Sequence, residues 1–315
     1  MDKSPHSSSF VTVNGIRLHY LDWGGSGQML LFLAGRGCNA HIFDHFAPRF
    51  TGQFRVLGLD RRGHGDSDHP ETGYDIDTLV EDIRQFLDCL QIEQVILAGH
   101  SLAGIELSHF SALYPERVLQ LVFLDAAYDY HCPEYKAMVE NHPSRQIKIP
   151  GADQDYHSIA DYAAFIKFAY PSLGVIWGEL MDEHMLHEVE IDPQGKVVDR
   201  MSASIDQAIG ATIFAYQPEF EKIRAPTLSV DAIKKSTYYS STEYMTSEQQ
   251  AELIAYFDNV VQPWNLHSNA KFRREVPHAK IVEIPDGHHY CFIPHEDLVF
   301  NEMMSFLLEN SPRVS

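Results

Sequence analysis

The sequence predicts an α/β fold, a mostly parallel, doubly wound sheet opened by an antiparallel hairpin and interrupted by an inserted, mainly helical segment. Three observations predict it. Six short apolar runs lack polar alternation, as strands buried on both faces require. Amphipathic stretches separate the early runs, giving strand, helix, strand, helix. That rhythm fails over residues 127–222, where helical patterns replace it.

The elements follow in order. "FVTVNGIRLHYLDWGG" alternates on both sides of Asn14-Gly15, a strong two-residue hairpin signal, so two antiparallel strands open the domain. The unalternated runs are "QMLLFLAG" (28–35), "FRVLGLD" (54–60), "QVILAGH" (94–100), "LQLVFLDA" (119–126), "APTLSVDA" (225–232) and "AKIVEIPD" (279–286). In "DTLVEDIRQFLDCLQI", residues Leu79, Val80, Ile83, Phe86, Leu87 and Leu90 form one helical stripe, and Ile105, Phe110 and Leu113 form another in "IELSHFSALYP". Within the insert, "IADYAAFIKFAY" places Ile159, Tyr162, Ile166 and Ala169 on one stripe, and Pro193-Gln194-Gly195 marks a hairpin turn. The expected organisation is a core in two parts, 1–126 and 223–315, around a mainly helical lid at 127–222. A second insertion-like stretch, beginning at Ser236 and running to Asn269, walls the same cavity or packs on the sheet.

With 315 residues, 44% hydrophobic and 22% charged, the chain can bury one large core plus a subdomain. A formal charge of -20 repels phosphate backbones and anionic leaflets, and no basic patch offsets it, so neither nucleic acid nor membrane is expected as a partner. The four cysteines, Cys38, Cys89, Cys132 and Cys291, show no metal or disulfide spacing, so reduced thiols are expected. "MDKSPHSSSF" lacks a signal-peptide apolar region, which points to the cytoplasm. "DEHMLHEVE" spaces His184 and His187 by one turn but is not H-E-x-x-H, and it reads as a solvated helix face.

The chemistry centres on "VILAGHSLAGIEL". A buried strand that ends in G-x-S-x-small and turns directly into a helix is a nucleophile elbow. The serine takes a strained backbone conformation, and small neighbours let strand and helix come close. Gly99 and Ala103 meet that need around Ser101, with Gly104 next to them. A serine alcohol is a weak nucleophile, so a base and an orienting acid are required. "PDGHHYCF", after the last strand, offers His288 or His289 as base. For the acid, the position beyond "APTLSV" holds "DAIKKS", whose Lys234 and Lys235 would compete with an imidazolium. Asp125, closing "LQLVFLDA", is the better candidate, with Asp231 second and Asp129 third. Backbone N–H donors for a developing oxyanion are expected from Leu102 and from Arg36, in the Gly-rich turn "LAGRGCNA".

These residues resemble the α/β-hydrolase superfamily across essentially the whole chain, through "LAGRG", "DRRGHGDSD", "GHSLAG", "YPERVLQLVFLDAA" and "IPDGHHY". More narrowly, "CNAHIFDHFAPRF", "RRGHGDSDHPETGYDIDT", "FLDAAYD" and "HYCF" are similar to bacterial pimeloyl-carrier-protein methyl-ester carboxylesterase-like hydrolases. The resemblance implies that the base is His289, fifth from the proline of its turn, and that Asp125 matches members whose acid follows the earlier strand. Two departures stand out: Ala34 replaces a frequent histidine, and the usual late acid is missing.

The expected function is a serine hydrolase cleaving an ester, thioester or lactone of a small to medium apolar acyl compound through an acyl-enzyme. The partner is then a small ester-type molecule, and neither cofactor nor metal is expected. A minority of Tyr156, Tyr162, Phe165, Phe168, Tyr170 and Trp177 should line the acyl pocket. The alternatives are other triad chemistries (a carbon-carbon bond hydrolase, a hydroxynitrile lyase, a cofactor-free peroxidase-like activity) and a non-catalytic ligand receptor on the same scaffold.

Overall fold

A computed structural model describes residues 6–240 and 243–311. The first five residues of the amino-terminal stretch, and residues 241 and 242 of the second insertion-like stretch, lie outside the described residues. The elements in order are β1 (Ser7–Val13), β2 (Ile16–Gly24), β3 (Met29–Leu33), β4 (Arg55–Leu59), α1 (Ile76–Cys89), β5 (Val95–His100), α2 (Ala103–Leu113) and β6 (Val118–Leu124). Then come α3 (Pro133–Glu140), α4 (Ile159–Ala169), α5 (Pro171–Gly174), α6 (Glu179–Leu186), β7 (Val189–Ile191), β8 (Val197–Asp199) and α7 (Ala203–Ala215). The chain closes with β9 (Thr227–Lys234), α8 (Thr237–Ser240), α9 (Ser247–Tyr256), α10 (Gln262–Glu275), β10 (Lys280–Gly287) and α11 (Glu296–Glu309). Among the described residues, no helix is long and apolar enough to cross a membrane.

One eight-stranded sheet runs in the order β1-β2-β4-β3-β5-β6-β9-β10. Its first two pairings, β1 with β2 and β2 with β4, are antiparallel, and the remainder are parallel. Asn14 and Gly15 turn the opening hairpin with φ of 49° and 79°, the left-handed pair that a two-residue loop needs. The apolar runs are uninterrupted because both faces are covered. Leu30 and Phe32 of β3 join one core with Phe43, Phe50 and Phe292, while Leu31 and Leu33 join the other with Phe86, Leu97 and Phe110. β10 departs from this pattern: it is an edge strand, and its first three residues are only half-buried.

Helix α1 is capped by the Asp75 carboxylate, which accepts from the Thr78 N–H, and it buries Leu79, Val80, Ile83, Phe86 and Leu87 as its stripe predicts. Helix α2 does not follow its predicted stripe. Every residue from Ala103 to Ser111 is buried, whereas Leu113 is 48% exposed. The sheet covers one side of α2, and Ile205, Ile209 and Tyr216 of the α7 region pack on Ile105 from the other, so only its last turn reaches water.

Between β6 and β9, helices α3 to α7 and the β7-β8 hairpin enclose a small core of Ala163, Met185, Val189 and Val197, flanked by Tyr156, Tyr162 and Ile166. This insert is tied to the 39–66 segment by polar contacts. The Asn39 Nδ2 donates to Glu188 at 2.7 Å, His184 Nδ1 lies 3.0 Å from Asn39 Oδ1, and His187 Nδ1 lies 2.6 Å from Asp66. The solvated face expected around His184 is therefore corrected: the ring is 3% exposed, because it packs against Asn39 rather than facing solvent.

Two expected outcomes follow from these contacts. A Cβ on Gly104 would stand 1.9 Å from the Ala126 carbonyl oxygen, so α2 and the chain after β6 meet backbone to backbone. Gly104→Ala should cost about 2–3 kcal/mol in urea unfolding. Burial opposes charge on His187, but the hydrogen bond and charge of Asp66, with Asp60 and Glu183 nearby, raise its pKa above the ordinary value. A raised pKa gives stability that is full below the unfolded-state value and lost as pH climbs through the folded one. His187→Gln should therefore lower Tm more at about pH 6 than at about pH 8.5.

Candidate active site

At the end of β5 the backbone bends at Ser101, whose φ of 55° is left-handed, a costly conformation for any residue but glycine. The surroundings leave no room for side chains. A Cβ on Gly99 would meet the Leu107 and Ala103 side chains at 2.8 and 2.9 Å, and one on Gly35 would meet the Ser101 Cβ at 3.0 Å. The Ser101 carbonyl accepts from the Gly104 N–H at 3.0 Å, which starts the turn into α2.

His289, in the loop after β10, places Nε2 2.9 Å from Ser101 Oγ and Nδ1 2.5 Å from Asp125 Oδ2. Asp125 follows β6 with φ of 47°, and its N–H donates to the Val230 carbonyl, so the neighbouring strand anchors the bend. Its Oδ1 accepts from Tyr128 Oη at 2.5 Å and from the Ala232 N–H at 3.0 Å. Lys234 Nζ stands 2.9 Å from Oδ2 and donates to Tyr128 Oη at 2.5 Å. Burial alone would raise the Asp125 carboxyl, but the Lys234 ammonium and the His289 ring hold it well below the usual carboxylate range.

The other candidates stand apart from this line. His288 places Nε2 2.8 Å from the Ser172 carbonyl, and its Nδ1 accepts from the Tyr290 N–H. Burial pulls its pKa down to about 4. Asp231 accepts from Ser229 and Arg273, and Asp129 from Lys271. His100 sits behind His289 with ring centroids 4.5 Å apart, and burial together with that neighbour keeps its pKa well below the ordinary value.

The N–H groups of Arg36 and Leu102 donate to no protein acceptor among the described residues. The turn that carries Arg36 is pinned from beneath. Arg61, 6% exposed, donates to the Gly35 carbonyl at 3.0 Å and the Ala34 carbonyl at 2.6 Å, and grips Glu106 of α2 through two further bonds of 2.9 and 2.6 Å. In a trans peptide the C=O and the following N–H point opposite ways, so holding the Gly35 carbonyl aims the Arg36 N–H away from Arg61. The Arg36 side chain bonds Asp206 of α7 at 2.7 Å in an exposed pair. Tyr130 lines the same cavity as Ser101.

Ser101 and His289 open onto a cavity of about 630 Å³ walled by Tyr128, Tyr130, Tyr135, Phe257 and Trp264, among others. Of the six aromatics singled out in the insert, only Tyr170 lines it. Tyr156, Tyr162 and Phe165 pack on one another, Phe168 packs on Tyr244, and Trp177 lines a separate 790 Å³ cavity remote from Ser101. Of the two ends expected for the second insertion-like stretch, the structure shows the cavity wall, through Leu253, Phe257, Val261 and Trp264. Trp264 and Asn265 went unpredicted as wall residues, since nothing in the local pattern separates a cavity-facing turn of helix from a core-facing one.

His41, Asp66 and His187 bring ligand-type atoms within 4.8 Å of one another. The His41 and His187 rings stack at 3.8 Å and 15°, so their lone pairs lie in separate, nearly parallel planes, an arrangement poorly suited to meeting at one ion.

A family model described as the alpha/beta hydrolase fold matches residues 28–162. The chain is 29% identical over 149 residues to 2-(acetamidomethylene)succinate hydrolase of Mesorhizobium japonicum, covering 47% of this chain and 51% of that protein. It is 29% identical over 162 residues to mouse (Mus musculus) epoxide hydrolase 4, covering 48% and 44%. The matches thus span about half the length of these curated relatives. The crystal structure of E-2-(acetamidomethylene)succinate hydrolase superposes with a TM-score of 0.74 at 21% identity, over 96% of this chain and 99% of that one, which establishes the shared fold.

Arg61 offers a test of the turn. Arg61→Met should destabilise the protein by about 3–5 kcal/mol, because Glu106 is left buried and unpaired, and Arg61→Met with Glu106→Leu should recover most of that loss in urea unfolding.

Proposed function

We propose that the chain, which matches the alpha/beta hydrolase fold model over residues 28–162, is a serine hydrolase of that superfamily acting on an ester, thioester or lactone through an acyl-enzyme. The observation that carries this reading is the unbroken line from Asp125 Oδ2 to His289 Nδ1 at 2.5 Å and from His289 Nε2 to Ser101 Oγ at 2.9 Å. Asp125 holds the tautomer with the proton on Nδ1, which leaves the Nε2 lone pair facing the serine hydroxyl.

In the proposed reaction Ser101 Oγ attacks the substrate carbonyl carbon as its proton passes to His289 Nε2. The carbonyl oxygen becomes an oxyanion that the Arg36 and Leu102 N–H groups stabilise. Collapse breaks the bond to the alcohol or thiol, which leaves with the proton from Nε2. Water then gives a proton to the same nitrogen and attacks the acyl carbon, and the bond to Ser101 Oγ breaks as Nε2 returns that proton to it, releasing the acid and restoring both residues. Residues 127–222 act as the lid over this site, with Tyr170 and the residues after β6 closing the acyl cavity. A serine at the elbow separates this chemistry from the epoxide hydrolases, which use an aspartate there. The curated relatives' printed names support hydrolysis without fixing the bond cleaved.

Ser101→Ala and His289→Ala should each lower p-nitrophenyl ester turnover by about a thousandfold or more, and a fluorophosphonate should label the unaltered protein at Ser101. His288→Ala should keep most of the rate, and Asp125→Asn should cost at least about a hundredfold more than Asp231→Asn. A folded protein that takes no label at Ser101 would overturn the reading.

A further inference from the structure

The cavity above Ser101 has an unusual charge lining for this chain. The sequence holds 44 Asp and Glu against 24 Lys and Arg. Yet no described Asp or Glu lines this cavity, whereas Lys234, His142 and His289 do. Two other cavities follow the chain's bias: one is lined by Asp44, Glu179, Asp182 and Glu183, the other by Glu188, Asp199 and Asp206. The carboxylate nearest in chemistry, Asp125, lies behind the wall with its side chain 0% exposed.

Two donors on this wall are incompletely used. Asn265 is 4% exposed, lines the cavity, and carries an amide nitrogen with no hydrogen-bond partner among the described residues. Leaving a buried amide unpaired costs about 1–3 kcal/mol, and a ligand acceptor seated at this part of the wall would relieve that cost. Lys234, whose side chain is 8% exposed, has three N–H donors, of which Asp125 Oδ2 and Tyr128 Oη take two. Asp125 Oδ2 is itself shared with His289 Nδ1, so that oxygen does not serve the ammonium alone. The two donors are linked along the wall. Lys234 Nζ stands 4.6 Å from the Tyr128 ring centre, Trp264 stacks on that ring at 5.4 Å and 26°, and Asn265 follows Trp264 in α10.

Building on the serine-hydrolase reading, we propose that the acyl group of the substrate carries a second, free carboxylate, seated against Lys234 and Asn265 with its carbon skeleton on the Tyr128 and Trp264 rings. The ammonium supplies charge and the carboxamide supplies direction, while the aromatic faces exclude the water that would otherwise screen the pair. An acyl chain ending in a neutral group leaves both donors unpaired and loses that interaction, so the pocket selects between chains of equal length by their far end.

The test compares p-nitrophenyl hydrogen suberate with the ester of the same length whose far carboxyl is a primary amide. The unaltered protein should show kcat/KM at least about tenfold higher for the acid ester, the worth of one charge-assisted hydrogen bond. Asn265→Leu should bring the ratio near one, mainly through KM. A neutral ester turned over as well as the acid one, or a preference that persists in Asn265→Leu, overturns the proposal. Calorimetric titration of the Ser101→Ala protein with the two esters decides the point without turnover: tighter binding of the acid ester, lost with Asn265→Leu, supports it, and equal binding overturns it. Failure of the serine chemistry is read separately, as absence of a fluorophosphonate adduct at Ser101.

Discussion

A serine held in the left-handed region, between a strand and a helix that are both buried, sets the conditions for everything around it. Strain of order 1–3 kcal/mol persists at such a residue only where its neighbours leave no alternative. Here they do so by lacking side chains. Gly99 lets Leu107 lie on the strand, Gly104 lets α2 touch the backbone after β6, and Gly35 lets the next loop approach Ser101 itself. The same close approaches that force the bend also bring together the two backbone segments, at Arg36 and Leu102, whose N–H groups lack protein acceptors among the described residues. Strain at the serine and the placement of those donors are one packing solution.

A second left-handed residue mirrors the first. Asp125 bends at φ of 47° at the end of the next strand, and four donors converge on its carboxylate: His289, Lys234, Tyr128 and the Ala232 N–H. The lysine in "DAIKKS", which in sequence looks like a competitor for the imidazolium, instead reaches over from the end of β9 to the acid itself. A lysine placed next to the imidazole without a carboxylate would oppose its protonation. Sharing one oxygen of Asp125, it neutralises a charge that would otherwise be buried at a cost of several kcal/mol, and leaves the other oxygen to the tyrosine and the backbone.

Much of this was legible in the letters, for reasons that also explain what was not. The unalternated runs and the Asn-Gly turn report burial and backbone handedness, which are local, so the sheet and its opening hairpin followed from them. Ser101 was readable because its bend constrains the residues two away. Asp125 and a histidine of the 288–289 pair were readable because a doubly wound sheet puts the ends of its parallel strands on one edge, which turns chain order into proximity, whereas the choice of His289 over its neighbour came from the family resemblance. Leu113 and His184 misled because burial at those positions depends on what packs over a helix from elsewhere. The Arg61–Glu106 pair joins residues 45 apart in sequence, and no pattern within either segment announces the other. Asn265 is silent for the same reason.

The distribution of charge is where composition misleads most. An excess of 20 negative charges describes the whole chain and says what its surface repels at a distance of a Debye length, about 8–10 Å in physiological salt. A cavity walled by aromatic rings is shielded from that surface and sees its own lining, where electrostatic interactions are several times stronger than in water. Acidic residues excluded from such a wall matter more than the many that remain outside it. A net charge that repels polyanions at a distance is therefore compatible with a site that selects a small anion, because the two statements concern different dielectric environments and different distances.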